Sequence, residues 1–341
     1  RVAGKPDVYV NLALYLMSAG DTASAEATLQ QALAIHPNHV TSLYNLGCLL
    51  HFQNRDVEAE PIFRQVLALE PTHVDAMINL ANTLQRLMQR EEGLALTRQA
   101  TLLAPSNHLS AAFELFEATY DANSTDADIF AKAVHAANLR CKNVKMPLQP
   151  ILDMAWRASD RPLKVGFVSG DLKSHPVGFF LQGWLPHVDR NRLSLHAFSM
   201  LDVDDVTSQN LRPQFATWRN IAKMSDDEVL ALTSAMGIDV LIDLSGHTDM
   251  NRLPLFACRA APVQISWLGW YATTGVVNMD YFFTDRISSP EATAQHYSEK
   301  LVYLPDTRLC LCEPIFAPQL VHCLPSAINT SRLGRSSRYS K

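Results

Sequence analysis

Three short segments carry the side chains best suited to chemistry, and each follows an apolar run. The first is Ser169-Gly-Asp-Leu-Lys-Ser-His-Pro-Val-Gly178, which contains Asp171 and His175. Pro176 suits the first position of a helix, so His175 stands at or next to the N-cap with a polar ring aimed at a ligand edge. A histidine there either acts on a ligand or only caps the helix, and the spacing leaves both roles open. The second segment is Asp243-Leu-Ser-Gly-His-Thr248 with Asn251-Arg252 following. Here Asp243 and His247 either meet a ligand or brace the loop. The third, Trp267-Leu-Gly-Trp-Tyr-Ala-Thr-Thr-Gly275, turns polar and Gly-rich at the end of its run. No Gly-x-Gly-x-x-Gly follows the first run and no Gly-Lys-Ser/Thr occurs, which removes the main support for a dinucleotide or P-loop site. The six cysteines (Cys48, Cys141, Cys258, Cys310, Cys312, Cys323) form no Cys-x-x-Cys pair and have no histidine at ligand spacing. They read as reduced thiols, and no metal is expected.

The elements that position these segments are short continuous apolar runs alternating with amphipathic helices, the pattern of parallel strands covered on both faces. Strands are expected over 165–169, 193–200, 238–244, 262–268, 280–283 and 301–304. Helices are expected over 176–185 and 226–236, the latter stopped by Gly237. This half is an α/β, Rossmann-like unit, in which ligands sit beyond the carboxyl ends of the strands.

The first third has a different rhythm. Pro37, Pro71 and Pro105 recur at a spacing of 34 residues, as do the triplets Asn11-Leu12-Ala13, Asn45-Leu46-Gly47 and Asn79-Leu80-Ala81 and the small residues Ala25, Ala59 and Gly93. About 34 residues is the period of the tetratricopeptide (TPR) repeat, a pair of amphipathic helices. Tyr9, Leu12, Ala13 and Leu16 are expected on one face of the first helix, and Ala25, Leu29 and Ala32 on one face of the second. A further helix begins near His108, capped by Ser106 or Asn107, and reads as a capping or transition helix. Stacked repeats make a concave surface suited to extended polypeptide.

With 341 residues and 48% hydrophobic composition the chain can build two or three cores. A net charge of −5 with 18% charged residues does not favour nucleic acid. No run is long enough for a membrane span and no signal segment opens the chain, so a cytoplasmic address and no membrane partner are expected. The chain starts at Arg1, and an upstream part is expected to be missing.

The ordered segments Val165-Gly-Phe-Val-Ser-Gly-Asp171, His175-Pro-Val-Gly-Phe-Phe180, Asp239-Val-Leu-Ile-Asp-Leu-Ser-Gly-His-Thr248, Asn251-Arg-Leu-Pro254 and Ala261-Pro-Val-Gln-Ile-Ser-Trp-Leu-Gly269 resemble the protein O-GlcNAc transferase family, nearer its bacterial branch. Thr273-Thr-Gly275, Met279-Asp-Tyr281 and Tyr297-Ser-Glu-Lys-Leu301 extend the match. The resemblance implies an inverting, metal-free GT-B glycosyltransferase that moves N-acetylglucosamine from UDP-GlcNAc to Ser or Thr of a protein held by the TPR groove. It makes His175 the active-site histidine, acting as positioner or base. Leu268 and Gly269 become the backbone lining the sugar pocket, and Gly269 is expected to lack a side chain so that the sugar can approach. Tyr271 and Thr273 become substrate-binding residues, with Asp171, Asp243 and His247 as loop support. Tyr271 departs from the proline often found there in eukaryotic members.

The expected organisation is a TPR array over 1–120, a helical transition over 121–160, the N-terminal Rossmann-like lobe over 161–314 and a Ser- and Arg-rich disordered tail over 315–341. The family continues into a second lobe that holds UDP, so this chain is expected to be a truncated form, inactive by itself, with Trp267, Trp270 and Tyr271 exposed. The alternative is a non-catalytic TPR interaction module attached to a relic lobe. A GT-B enzyme with another nucleotide sugar is a third reading.

Overall fold

The computed structural model of the chain describes residues 5–144, 160–201 and 205–310. Eight helices come first: α1 (Pro6–Ser18), α2 (Thr22–Ile35), α3 (Val40–Phe52), α4 (Asp56–Leu69), α5 (Val74–Arg86), α6 (Arg90–Leu103), α7 (His108–Ala118) and α8 (Asp126–Arg140). The pairs α1/α2, α3/α4 and α5/α6 are the repeated units, and Pro37, Pro71 and Pro105 stand just beyond α2, α4 and α6. There a ring without an N–H stops one unit and sets the turn into the next. One continuous core joins the units through Ala13, Ala25, Leu29, Leu49, Phe63, Leu80 and Leu84. Leu12 does not join it and is 48% exposed, because the buried stripe of α1 runs through Val10 and Ala13.

Asn107 caps α7, accepting from the backbone N–H groups of Leu109 and Ser110. A Thr125–Asp128 capping box starts α8, which lies in the stretch expected to be a transition region. Ala133 and Ala136 of α8 pack on Ala111 and Leu115 of α7, while Ala137 enters the core of the second half. The Met146–Pro150 break and the Ser- and Arg-rich tail lie outside the described residues.

The second half is a seven-stranded sheet, with every pairing parallel and the order β3-β2-β1-β4-β5-β6-β7. The strands are β1 (Leu163–Ser169), β2 (Leu193–Ser199), β3 (Thr217–Asn220), β4 (Val240–Asp243), β5 (Val263–Ser266), β6 (Tyr281–Thr284) and β7 (Lys300–Tyr303). Helices α9 (Pro176–Trp184) and α10 (Val206–Leu211) cover one face, burying Val177, Leu181 and Leu211 against Val165, Phe167 and Ile242. Helices α11 (Asp226–Met236) and α12 (Leu253–Ala257) cover the other with Val229, Leu253 and Phe256 against Val168, Phe198 and Leu241. Gly237 ends α11 in the left-handed region at φ 63°. Strand order changes direction between β1 and β4, so the crevice beyond their carboxyl ends is the topological switch point. Among the described residues no helix is long and apolar enough to cross a membrane.

Candidate active site

The first loop leaves β1 and enters α9. His175 is the N-cap, in extended backbone (φ −153°, ψ 153°), and its Nδ1 accepts from the Val177 N–H at 3.4 Å. The ring is 41% exposed. With Nδ1 accepting, the neutral imidazole carries its proton on Nε2, so its other nitrogen is a donor. For Nε2 to work as a base, Nδ1–H would have to be taken by Asp171, whose Oδ2 is 3.8 Å away. Burial pushes the Asp171 carboxyl above its ordinary value, while His175 and Lys173 pull it back and Asp249 adds to the rise.

The second loop begins at the last residue of β4. Asp243 is fully buried and accepts from Ser245 N at 3.1 Å and Gly246 N at 2.8 Å, bracing the turn. Desolvation pushes its carboxyl up to about 6 despite these donors, and the Glu299 carboxylate reinforces the rise. His247 gives its Nε2 proton to the Thr274 carbonyl at 2.7 Å and sets its ring edge against Trp270. Burial lowers its proton affinity to about 4. This loop also meets the first: a Cβ on Gly170 would lie 2.8 Å from Met250 Cβ.

These two buried groups oppose each other in the pH dependence of stability. Folded Asp243 keeps its proton to about pH 6, above the ordinary 3.8, so its contribution is complete below 3.8 and is lost as pH rises through 6. Folded His247 stays neutral to about pH 4, below the ordinary 6.5, so its contribution is complete above 6.5 and is lost as pH falls through 4. Each is on the order of 3 kcal/mol. Urea midpoints measured from pH 4 to 7 should therefore be flattest for the wild type. Asp243→Asn should lose stability as pH falls across this range, and His247→Gln should gain it. Parallel profiles for all three proteins would contradict the assignment.

The third loop leaves β5. Leu268 has φ 63°, uncommon for a branched side chain, and its carbonyl accepts from Arg308 Nη2 at 3.1 Å. The same nitrogen donates to the Trp270 carbonyl at 3.1 Å, and Trp267 Nε1 donates to the Arg308 carbonyl at 3.1 Å. Trp267 and Trp270 are consequently 5% and 1% exposed, against the expectation that both face solvent; Tyr271, at 40%, does face it. The absence of a side chain at Gly269 is already demanded within the protein, whatever approaches from outside. A Cβ there would lie 1.8 Å from the Leu244 carbonyl oxygen, so the glycine is required by the closeness of the second and third loops.

Thr273 and Thr274 are buried on one carboxylate. Glu299 accepts from Thr273 Oγ1 at 2.6 Å and Thr274 N at 2.7 Å, and also from Thr274 Oγ1. The Thr273 side chain, expected to bind substrate, is thus engaged within the protein, accepting in turn from Gly275 N and Ser298 N. Tyr271 reaches the helical array and its hydroxyl bonds to Thr119 Oγ1, just beyond α7. Burial raises the Tyr271 phenol to about 12, so it stays protonated and can donate in that bond. Beside it Gly275, at φ 69°, lies against α8, where a Cβ would sit 2.7 Å from the Ala133 carbonyl.

The three loops therefore converge at the switch point. Asp171 and His175 stand on the first, Asp243 and His247 hold the second, and the Leu268–Gly269 backbone forms the turn of the third. Arg252 is drawn away: its Nη1 donates to the Met224 carbonyl and its Nη2 pairs with Asp226 at 2.6 Å. Sequence reasoning did not single out Glu299 or Arg308, which fix the third loop from later in the chain. Glu299 lies inside the Tyr297–Leu301 segment, where its place in a motif was the available signal. Among the described residues no group of three or more His, Cys, Asp or Glu is placed to hold a metal ion, and Cys48, Cys141, Cys258 and Cys310 are free thiols.

Comparison with known proteins agrees with this architecture. Residues 125–313 match Glycosyl transferase family 41, and residues 6–70 match a tetratricopeptide repeat family. The probable UDP-N-acetylglucosamine--peptide N-acetylglucosaminyltransferase SPINDLY of Oryza sativa subsp. japonica is 34% identical over 158 residues, which is 45% of this chain and 17% of that protein. The UDP-N-acetylglucosamine--peptide N-acetylglucosaminyltransferase of Caenorhabditis elegans is 34% identical over 148 residues, 42% of this chain and 13% of that one. The match thus spans less than a fifth of the length of these curated relatives. A solved O-GlcNAc transferase variant from Thermobaculum terrenum aligns with a TM-score of 0.81 at 29% identity, over 91% of this chain and 59% of that one. Since the family match takes in more than half of its residues, together with all three strand-end loops, the chain belongs to glycosyl transferase family 41.

Proposed function

We propose that the chain provides the acceptor-handling and sugar-facing part of a cytoplasmic, inverting UDP-N-acetylglucosamine:protein O-transferase. The observation that carries the reading is His175, a half-exposed N-cap at the mouth of the β1/β4 crevice, in a fold aligned over 91% of its length with a bacterial O-GlcNAc transferase. In such a transfer the acceptor hydroxyl sheds a proton, the anomeric carbon gains positive character, and UDP departs with negative charge. His175 orients the hydroxyl or the sugar through its Nε2 proton. The Leu268–Gly269 backbone and Tyr271 border the sugar, while Thr273, Asp171, Asp243 and His247 keep the loops in place. The TPR array holds the acceptor polypeptide, consistent with the use of stacked helical repeats as peptide-binding surfaces. No metal is assigned a role.

The test offers UDP-N-acetylglucosamine, UDP-glucose and a GDP-linked hexose separately to the full-length gene product and an acceptor protein, with modified residues mapped by mass spectrometry. An N-acetylhexosamine on Ser or Thr, from the first donor only, is the expected result. Preferential transfer of another sugar would change the donor. A product that binds acceptor yet transfers nothing from any donor would leave the non-catalytic interaction module as the function.

A further inference from the structure

The helical array and the strand-end loops enclose a further space. A cavity of about 380 Å³ lies between them, with His51, Arg86, His108 and Arg140 on the array side and Thr248 and Asp249 on the second loop. It adjoins the candidate active site, since His247 and Met250 of the second loop line it and Met250 lies against Gly170 of the first loop.

The two guanidinium groups in this wall differ in their partners. Arg86 is committed within the array: its Nη1 donates to the His51 carbonyl at 3.1 Å and to Asn54 Oδ1 at 3.2 Å, and lies 3.5 Å from Asp56. Arg140, the last residue of α8, has no carboxylate partner among the described residues. Its Nη1 donates to His108 Nε2 at 2.7 Å, and its Nε is buried without a partner. That bond makes His108 an acceptor, hence neutral, and burial together with Arg140 holds its proton affinity below the ordinary value. His247, which also borders the cavity, is neutral for the reasons given above. The imidazoles therefore leave the charge of Arg140 in place. Asp249 is the acid in the lining, but it is exposed and forms no ion pair with Arg140. A part-buried guanidinium whose hydrogen-bonding capacity is unfilled is best satisfied by an anionic oxygen, to which its planar fork can donate twice.

We propose that this cavity is an anion-accepting subsite for the acceptor polypeptide, in which Arg140 receives the carboxylate of an Asp or Glu side chain flanking the modified hydroxyl. It rests on the transferase reading above and adds to it a preference among acceptor sequences.

The test is binding of three labelled peptides to the 341-residue chain, read by fluorescence anisotropy. The peptides share one serine and differ only in carrying Glu, Gln or Lys beside it. The Glu peptide should bind roughly tenfold more tightly than the Gln peptide and the Lys peptide most weakly, with the preference shrinking as salt rises. Arg140→Met, which keeps an apolar stem and removes the charge, should bring the Glu and Gln peptides within about twofold of each other without weakening the Gln peptide. Arg140→Lys should keep part of the preference, and Arg98→Met, outside this cavity, all of it. Wild type that binds Glu and Gln peptides equally overturns the subsite and leaves the acceptor reading standing, whereas failure of every peptide to bind sinks both. If UDP or inorganic phosphate displaces the Glu peptide from wild type but not from Arg140→Met, the guanidinium serves a phosphate and the peptide subsite is rejected.

Discussion

Gly269→Ala is expected to destabilise the second half of the protein by at least about 3 kcal/mol, because the new methyl group has no space to enter. Its Cβ would sit 1.8 Å from the Leu244 carbonyl oxygen and 2.7 Å from the Leu244 carbonyl carbon. Both are backbone atoms just past β4, so no side-chain rotation relieves the overlap. The third loop must move away from the second, and movement there also strains the Arg308 bonds to the Leu268 and Trp270 carbonyls. Gly20→Ala provides the contrast. Nothing lies within 4 Å of a Cβ there, and only the left-handed backbone (φ 83°) opposes the change, a penalty of about 1 kcal/mol. Thermal or urea unfolding of the two variants should separate them widely. Equal melting of Gly269→Ala and Gly20→Ala would show that the two loops are not held as closely as described.

On the transferase reading proposed above, His175→Ala is expected to reduce turnover of the full-length gene product by roughly 10²-fold, the scale for losing one positioned donor at a reacting centre. His175→Asn should retain most of that activity. Its side-chain oxygen can still cap α9 at Val177 N, and its amide can still donate outward, although it cannot transfer a proton. The pair of variants distinguishes the roles left open by the sequence. If Asn is as damaging as Ala and both lose more than about 10³-fold, the ring works as a base and Asp171 must close the 3.8 Å gap during the reaction. Kinetics that are unchanged in both variants would reduce His175 to a helix cap. Melting temperatures belong in the same experiment, since loss of an N-cap alone is worth about 1 kcal/mol in Ala and little in Asn.

What could be read before folding follows the range of the interactions involved. The repeats were legible because the prolines and Asn-Leu-small triplets recur at one fixed spacing, although Asn79 itself reaches back to Tyr44 of the preceding unit. Helix α11 was legible to the residue, over 226–236 with Gly237 as its stop, whereas its Ser225 cap emerged only in the structure. Strand β3 was missed: it is four residues long, half exposed, and reads Thr-Trp-Arg-Asn with no apolar run to reveal it. The three loops were found because each follows a strand, yet the functions of their residues depended on distant partners. Nothing local to Thr273 shows that its hydroxyl donates to Glu299, and nothing local to Trp267 shows that Arg308 returns to accept from its indole. Tyr271 finds its partner 152 positions earlier, a pairing that no spacing rule reaches.

The seam between α8 and the third loop fixes a length as well as an interface. At Gly275 and Ala133 backbone lies against backbone, and Tyr271 bonds to Thr119, so α8 and the end of α7 are seated directly on the third loop. On the transferase reading proposed above, a polypeptide gripped by the array would meet the sugar at an offset set by that seat, measured along an extended chain at roughly 3.4 Å per residue. Choice of the modified hydroxyl would work as with a caliper whose jaws are locked: acceptors with the same docking sequence but a different number of intervening residues would present the wrong residue, or none.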